Sequence, residues 1–133
     1  MKEYKELTKA EEQIMQILWK AQKAFVKEII EQMEEPKPAY NTVSTVVRIL
    51  EKKGFVGFEA FGKSHRYYPL ISKEDYSEQV MNQVVGNYFG GSLKRFVSFF
   101  VEKKNVELSE LDEILKSIDS KSDSPNSSNS NTP

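Results

Sequence analysis

Residues 38–71, PAYNTVSTVVRILEKKGFVGFEAFGKSHRYYPLI, restrict the fold more than any other stretch of this 133-residue chain. Val43, Val46, Val47 and Leu50 recur at i, i+3, i+4 and i+7, the spacing of one buried helix face. The opposite face is Asn41, Thr42, Ser44, Thr45, Arg48 and Lys52, small and polar first, then basic. Gly54 ends the helix, with Lys52 and Lys53 in the last turn, where cations suit the helix dipole. The period then changes. FVGFEAF and HRYYPLI are rich in aromatic and β-branched residues and meet across Gly62-Lys63-Ser64, so they predict a β-hairpin.

A short helix with a small polar face, running straight into a hairpin with a basic tip, has the form of a DNA-recognition helix followed by a wing. Local charge points the same way. Residues 38–71 hold five Lys or Arg against two Glu, a charge of +3, while the whole chain has a net charge of −1 and a pI near 5.9. A basic module between acidic flanks is the electrostatic footprint of nucleic-acid binding. An exposed helix with a hairpin packed on it satisfies the same count, so charge alone leaves both readings open.

The segments before this module complete a helix-turn-helix. Thr8 and Glu11 form a capping box, and Ala10, Ile14, Ile17 and Leu18 make a helical stripe to about Ala21, with Trp19 at its edge as a core anchor. Phe25 to Met33 reads as a second, shorter helix, closed by Glu34-Glu35-Pro36-Lys37-Pro38 because prolines cannot continue it. Residues 1–71 are thus expected to be a winged helix, and to fold alone as a monomer.

Beyond it, Ser72 caps a helix in which Tyr76, Val80, Val84 and Tyr88 repeat every fourth residue up to Gly90-Gly91. Leu93, Phe96, Val97, Phe100 and Val101 form another stripe, widened by Phe99, and Phe89 joins Tyr88 and these rings in an unpaired aromatic surface. Ser109 is expected to cap a third short helix carrying Leu111, Ile114, Leu115 and Ile118. Three short helices cannot bury so many aromatic and aliphatic groups within one chain, so residues 72–119 are expected to pair two copies as a symmetric homodimer. Folding back onto the first domain is the alternative. From Ser120 to Pro133 the chain is Ser, Asn, Asp, Lys, Thr and Pro with no apolar residue, and disorder is expected. The fold class is therefore mostly α with a small β-hairpin wing: a winged helix-turn-helix DNA-binding domain plus a C-terminal helical dimerisation region.

Composition narrows the function. With no Cys and one His there is no disulfide, no thiolate metal site and no pair of histidines for zinc or a catalytic triad. No run approaches the ~20 apolar residues of a membrane span, and the charged start lacks the core of a signal peptide, so a cytoplasmic protein without membrane insertion is expected. No nucleophile, base and orienter come together in the sequence; no enzyme and no cofactor are expected. A winged helix serving as a protein-interaction adaptor, without sequence-specific DNA binding, is the alternative function.

LTKAEEQIMQILW, FVKEIIEQM, YNTVSTVVRILEKKGFV, the wing ending in YYPLIS, GNYFGGSLKRFVSFFVEK and LSELDEIL follow one another at spacings that resemble the BlaI/MecI group of bacterial winged-helix repressors, the penicillinase-repressor family, over about residues 5–118. The resemblance implies a homodimer on a palindromic double-stranded DNA operator. It also implies a membrane-bound sensor with a zinc-metalloprotease domain as a candidate partner. Its groove-facing positions fall on Asn41, Thr42, Ser44, Thr45 and Arg48, with Lys63, His65 and Arg66 at the wing. Two departures stand out. Resistance members are cut at an Asn-Phe bond where this chain has Phe99-Phe100, which implies a different bond or a switch without cleavage. The Cys-x-Cys cluster of copper-responsive relatives is missing, and Ser44 stands where resistance repressors are often basic, implying a different operator.

Overall fold

A computed structural model describes residues 4–122. The expected disorder of the tail from residue 123 onward lies outside the described residues. The helices and strands run α1 (Lys9–Ala21), β1 (Ala24–Phe25), α2 (Val26–Glu31), α3 (Tyr40–Lys52), β2 (Val56–Phe61), β3 (Ser64–Pro69), α4 (Lys73–Tyr88), α5 (Leu93–Lys104) and α6 (Leu108–Ser122). They divide into two compact units, Met1–Asn82 and Gln83–Pro133, with the division falling inside α4.

The first unit is a winged helix. Thr8 starts α1 through the expected capping box: its hydroxyl accepts from the Glu11 N–H at 3.2 Å, and the Glu11 carboxylate accepts from the Thr8 N–H at 2.9 Å. The buried stripe of α1 is Glu11, Ile14, Met15 and Leu18, which keeps the expected Ile14 and Leu18. Ala10 is exposed and Ile17 half-buried against the core, while Met15 is wholly buried. In α3 the apolar stripe holds: Val43, Val47 and Leu50 are buried and Val46 packs beside them. Gly54, at φ 85°, then turns the chain so that the Phe55 N–H reaches the Leu50 carbonyl at 2.9 Å, a left-handed stop natural to glycine. Phe55 lies wholly inside, with the rings of Tyr4 and Tyr76 5.1 and 5.5 Å away.

The wing is an antiparallel hairpin in which Phe61 pairs with Ser64, leaving a two-residue turn, Gly62-Lys63. A third strand completes the sheet in the order β1-β3-β2, with Ala24 opposite Tyr67 and Phe25 opposite Arg66. This strand takes the first residue of the segment expected to be helical. Phe25 is extended, and its N–H is accepted by Glu28 at 2.8 Å at the start of α2.

Two expectations change around α4. Tyr76, expected in the dimer seam, is buried in the first unit: its hydroxyl accepts from the Leu7 N–H at 3.1 Å and its ring lies 6.1 Å from that of Trp19. Val80 packs against the same core, and Gln79 bonds the Tyr4 backbone at both N–H and carbonyl. A phenol with an amide partner here is better satisfied inside than at a seam. The first unit therefore runs past residue 71. Trp19, the expected anchor, is half-buried and donates its indole N–H to the Ile71 carbonyl at 2.9 Å.

In the second unit Ser92 caps α5 by accepting from the Arg95 N–H at 3.1 Å, and Asn105 closes it in the left-handed conformation at φ 53°. The last helix starts at Leu108, so Ser109 sits in its first turn and is not its cap, and the helix includes residues 120–122. No residue of this unit is buried among those whose burial is described.

Candidate nucleic-acid interface

At ~100° per residue, the buried arc of α3 centred on Val43, Val47 and Leu50 leaves the opposite side to Asn41, Thr45, Arg48 and Lys52, all exposed. Thr42 is exposed on one flank beside Ile49, itself 41% exposed. Ser44, expected on the outer face, is buried. It falls on the other flank, with Tyr40 and Glu51. The helix N-cap is Ala39, so Asn41 lies in the first turn with its amide uncommitted to capping. Thr45 donates its hydroxyl proton to the Asn41 carbonyl at 2.9 Å, which commits the proton to the helix backbone.

At the wing, Lys63 is exposed in the turn. His65 is half-buried and stacks on Phe58, ring centres 4.1 Å apart and planes at 11°. The Tyr67 phenol beside it is pushed above the ordinary tyrosine range by burial and by Glu51, with Arg48 opposing. Arg66 lies on the other face of the hairpin: its guanidinium is 2.9 Å from Glu59 and 4.9 Å from the Phe61 ring centre.

Ion pairs sort the cations of the module. Lys53 is 2.7 Å from the Glu11 carboxylate, whose side chain is 5% exposed. Burial drives Glu11 upward, but the Lys53 ammonium and the Thr8 N–H and hydroxyl outweigh it and hold the carboxyl below the ordinary glutamate value. Lys53 thus belongs to the core. Among the described residues, no ion pair engages Arg48, Lys52 or Lys63.

A hollow of about 430 Å³ lies between Phe25, Val26, Lys27 and Glu28 at the start of α2, Tyr40 in the first turn of α3, and Phe61, Ser64 and His65 of the wing. It brings the first residue of α3 and the residues flanking the wing turn around one concave surface. Tyr40, 57% exposed, and Ile49 were not among the candidates read from the sequence. An aromatic at a helix start and an isoleucine off the core stripe were the available signals. Among the described residues, no helix is long and apolar enough to cross a membrane and no cluster suits a metal ion.

Comparison with known proteins places the chain among named relatives. A family model described as penicillinase repressor matches residues 7–120. The chain is 27% identical over 117 residues to the methicillin resistance regulatory protein MecI of Staphylococcus aureus (strain N315), covering 87% of this chain and 95% of that protein. It is 24% identical over 120 residues to a penicillinase repressor of Bacillus licheniformis, covering 90% and 94%. Among solved structures, the DNA binding domain of the repressor BlaI matches with a TM-score of 0.49 and 27% identity, covering 57% of this chain and 94% of that one.

Proposed function

This chain belongs to the penicillinase repressor family, a family of transcriptional repressors, and from that premise we propose that it binds a palindromic operator as a homodimer, each copy reading the major groove with α3 and tracking phosphate with the wing. The observation that supports the reading is the exposed front of α3, where Asn41, Thr45, Arg48 and Lys52 share one side, with Arg48, Lys52 and the wing-turn Lys63 in no ion pair among the described residues. Base edges meet Asn41, Thr42, Thr45 and Arg48. Thr45, its proton committed, offers a methyl group and an oxygen lone pair, a good match for a thymine methyl. Lys52 and Lys63 neutralise phosphate. Pairing is carried by the exposed apolar groups of the second unit: Tyr88, Phe99, Phe100 and Leu115, with Val84, Phe89, Phe96 and Leu111 half-covered behind them. Relief by a membrane sensor-protease belongs to the same reading, acting at a bond other than the Asn-Phe of the resistance members.

The test is a binding titration on an operator selected from random duplexes and on random DNA, at several salt concentrations. Thr45→Ala lowers operator affinity by ~1–3 kcal/mol per contact, counted twice in a dimer, and leaves random DNA nearly unchanged. Lys63→Ala weakens both duplexes together and flattens the salt slope by about one phosphate per subunit. If both variants weaken both duplexes alike, the division between reading helix and positioning wing is wrong. If duplex binding does not depend on salt, the adaptor reading takes its place.

A further inference from the structure

One face of the small sheet carries a charge arrangement that the reading above does not use. Phe25, Arg66 and Glu59 are register partners across β1, β3 and β2, so their side chains share the face opposite Tyr67. Arg66 reaches Glu59 through both Nε, at 3.2 Å, and Nη2, at 2.9 Å, while its guanidinium lies over the Phe61 ring. Phe61 also meets the Phe25 ring, edge-on at 5.7 Å. Lys23, from the turn before β1, approaches both Glu59 oxygens at 3.4 and 3.5 Å. One carboxylate thus holds two cations. The group is solvent-accessible, with the Glu59 side chain 41% exposed and Lys23 49%, and exposed pairs of this kind add little stability. Its consequence is where charge is available. A cation held by a neighbouring carboxylate releases fewer counterions on meeting DNA than a free one.

We propose that Glu59 limits the phosphate-neutralising charge of the wing: it keeps Arg66 and Lys23 occupied, so that Arg66 positions the hairpin against Phe61 and Lys63 alone neutralises phosphate there. This rests on the DNA-binding reading above. Arg66 is then a positioning residue, although its sign and place had marked it as a DNA contact. The operator is read with a weak electrostatic background, because sequence-independent affinity grows with every free cation and base contacts do not.

Salt-dependent titrations of the full chain on random-sequence duplex test the inference with two variants. Glu59→Gln removes the charge that holds Arg66 and Lys23, tightens binding, and steepens the log–log salt slope by about 4 per dimer, one phosphate for each of the two cations freed per subunit. The paired variant Glu59→Gln with Arg66→Met leaves Lys23 alone freed and keeps a slope steeper than that of the unaltered chain by about 2 per dimer. A slope unchanged in Glu59→Gln overturns the inference. So does a paired variant whose slope equals that of the unaltered chain, since the loss of Arg66 would then cancel the gain from Lys23, and Arg66 would already reach phosphate in the unaltered complex. Titration of the Glu59 carboxyl by NMR reads the free protein. Arg66, with Lys23 and against a smaller desolvation, holds it below the ordinary glutamate value, and Arg66→Met must raise it. An unaltered chain with no salt-dependent duplex binding would remove the DNA-binding reading itself, and the inference with it, whereas intact binding with an unmoved Glu59→Gln slope removes the inference alone.

Discussion

Phe55 and Phe99 are the same residue in opposite circumstances. Phe55 is 0% exposed, between α3 and β2 in the first unit; Phe99, on α5 in the second, is 51% exposed. The contrast extends to the units themselves. Met1–Asn82 closes a core from α1, α2, α3, the sheet and the front of α4, while the second unit leaves Tyr88, Leu93, Phe100, Leu108, Ile114 and Ile118 about half exposed or more. The difference is one of architecture rather than of residue type. A hairpin and three helices enclose a volume, whereas short helices alone leave apolar faces open to water. The first unit satisfies itself. The second leaves apolar faces uncovered, and in the proposed homodimer a second copy of this chain covers them with matching faces.

The largest expected effect breaks this comparison at Phe55. Phe55→Ala removes a fully buried ring and lowers the unfolding free energy of the first unit by ~3–5 kcal/mol in denaturant titration, while Phe99→Ala, half exposed, leaves that transition in place and weakens self-association instead. Equal losses in the first unit would show that the two are not independent.

A smaller effect probes how the first unit accommodates a buried charge. Lys53→Met leaves the Glu11 carboxylate buried without its ammonium and costs about 3 kcal/mol, the low end for a broken buried pair because Lys53 is 20% exposed. The sign with pH follows from the lowered Glu11 pKa. The stabilisation is fully present above the ordinary glutamate value of 4.5 and is lost as pH falls through the lower folded value. Unfolding free energy measured from neutral pH into acid should therefore fall in the unaltered chain, and fall less in Glu11→Gln.

Much of the first unit was legible because its signals are periodic. The α3 stripe, the capping box at Thr8 and the change to alternating aromatics each impose a period or a spacing. What escaped depends on partners. β1 is two residues long and exists only because β3 lies beside it. Ser44 sits on the border of the helical wheel, where polarity argued for exposure and tertiary packing decided for burial. Tyr76 showed an apolar repeat, but a repeat does not say which surface it meets, and the Leu7 N–H gave its hydroxyl a place inside. Charge was the least transferable signal. Lys53 and Arg66 each counted towards a basic footprint, yet both lie against carboxylates. Counting cations gives the sign of a surface; only the pairing tells how many are free.

The contrast between the self-contained unit and the open one is tested most directly by sedimentation equilibrium at micromolar concentration on the full chain and on residues 1–82. The full chain should sediment as a dimer. Residues 1–82, which keep Tyr76 and Gln79 with their partners, should sediment as a folded monomer. A monomeric full chain, or a dimer of residues 1–82, would contradict the account.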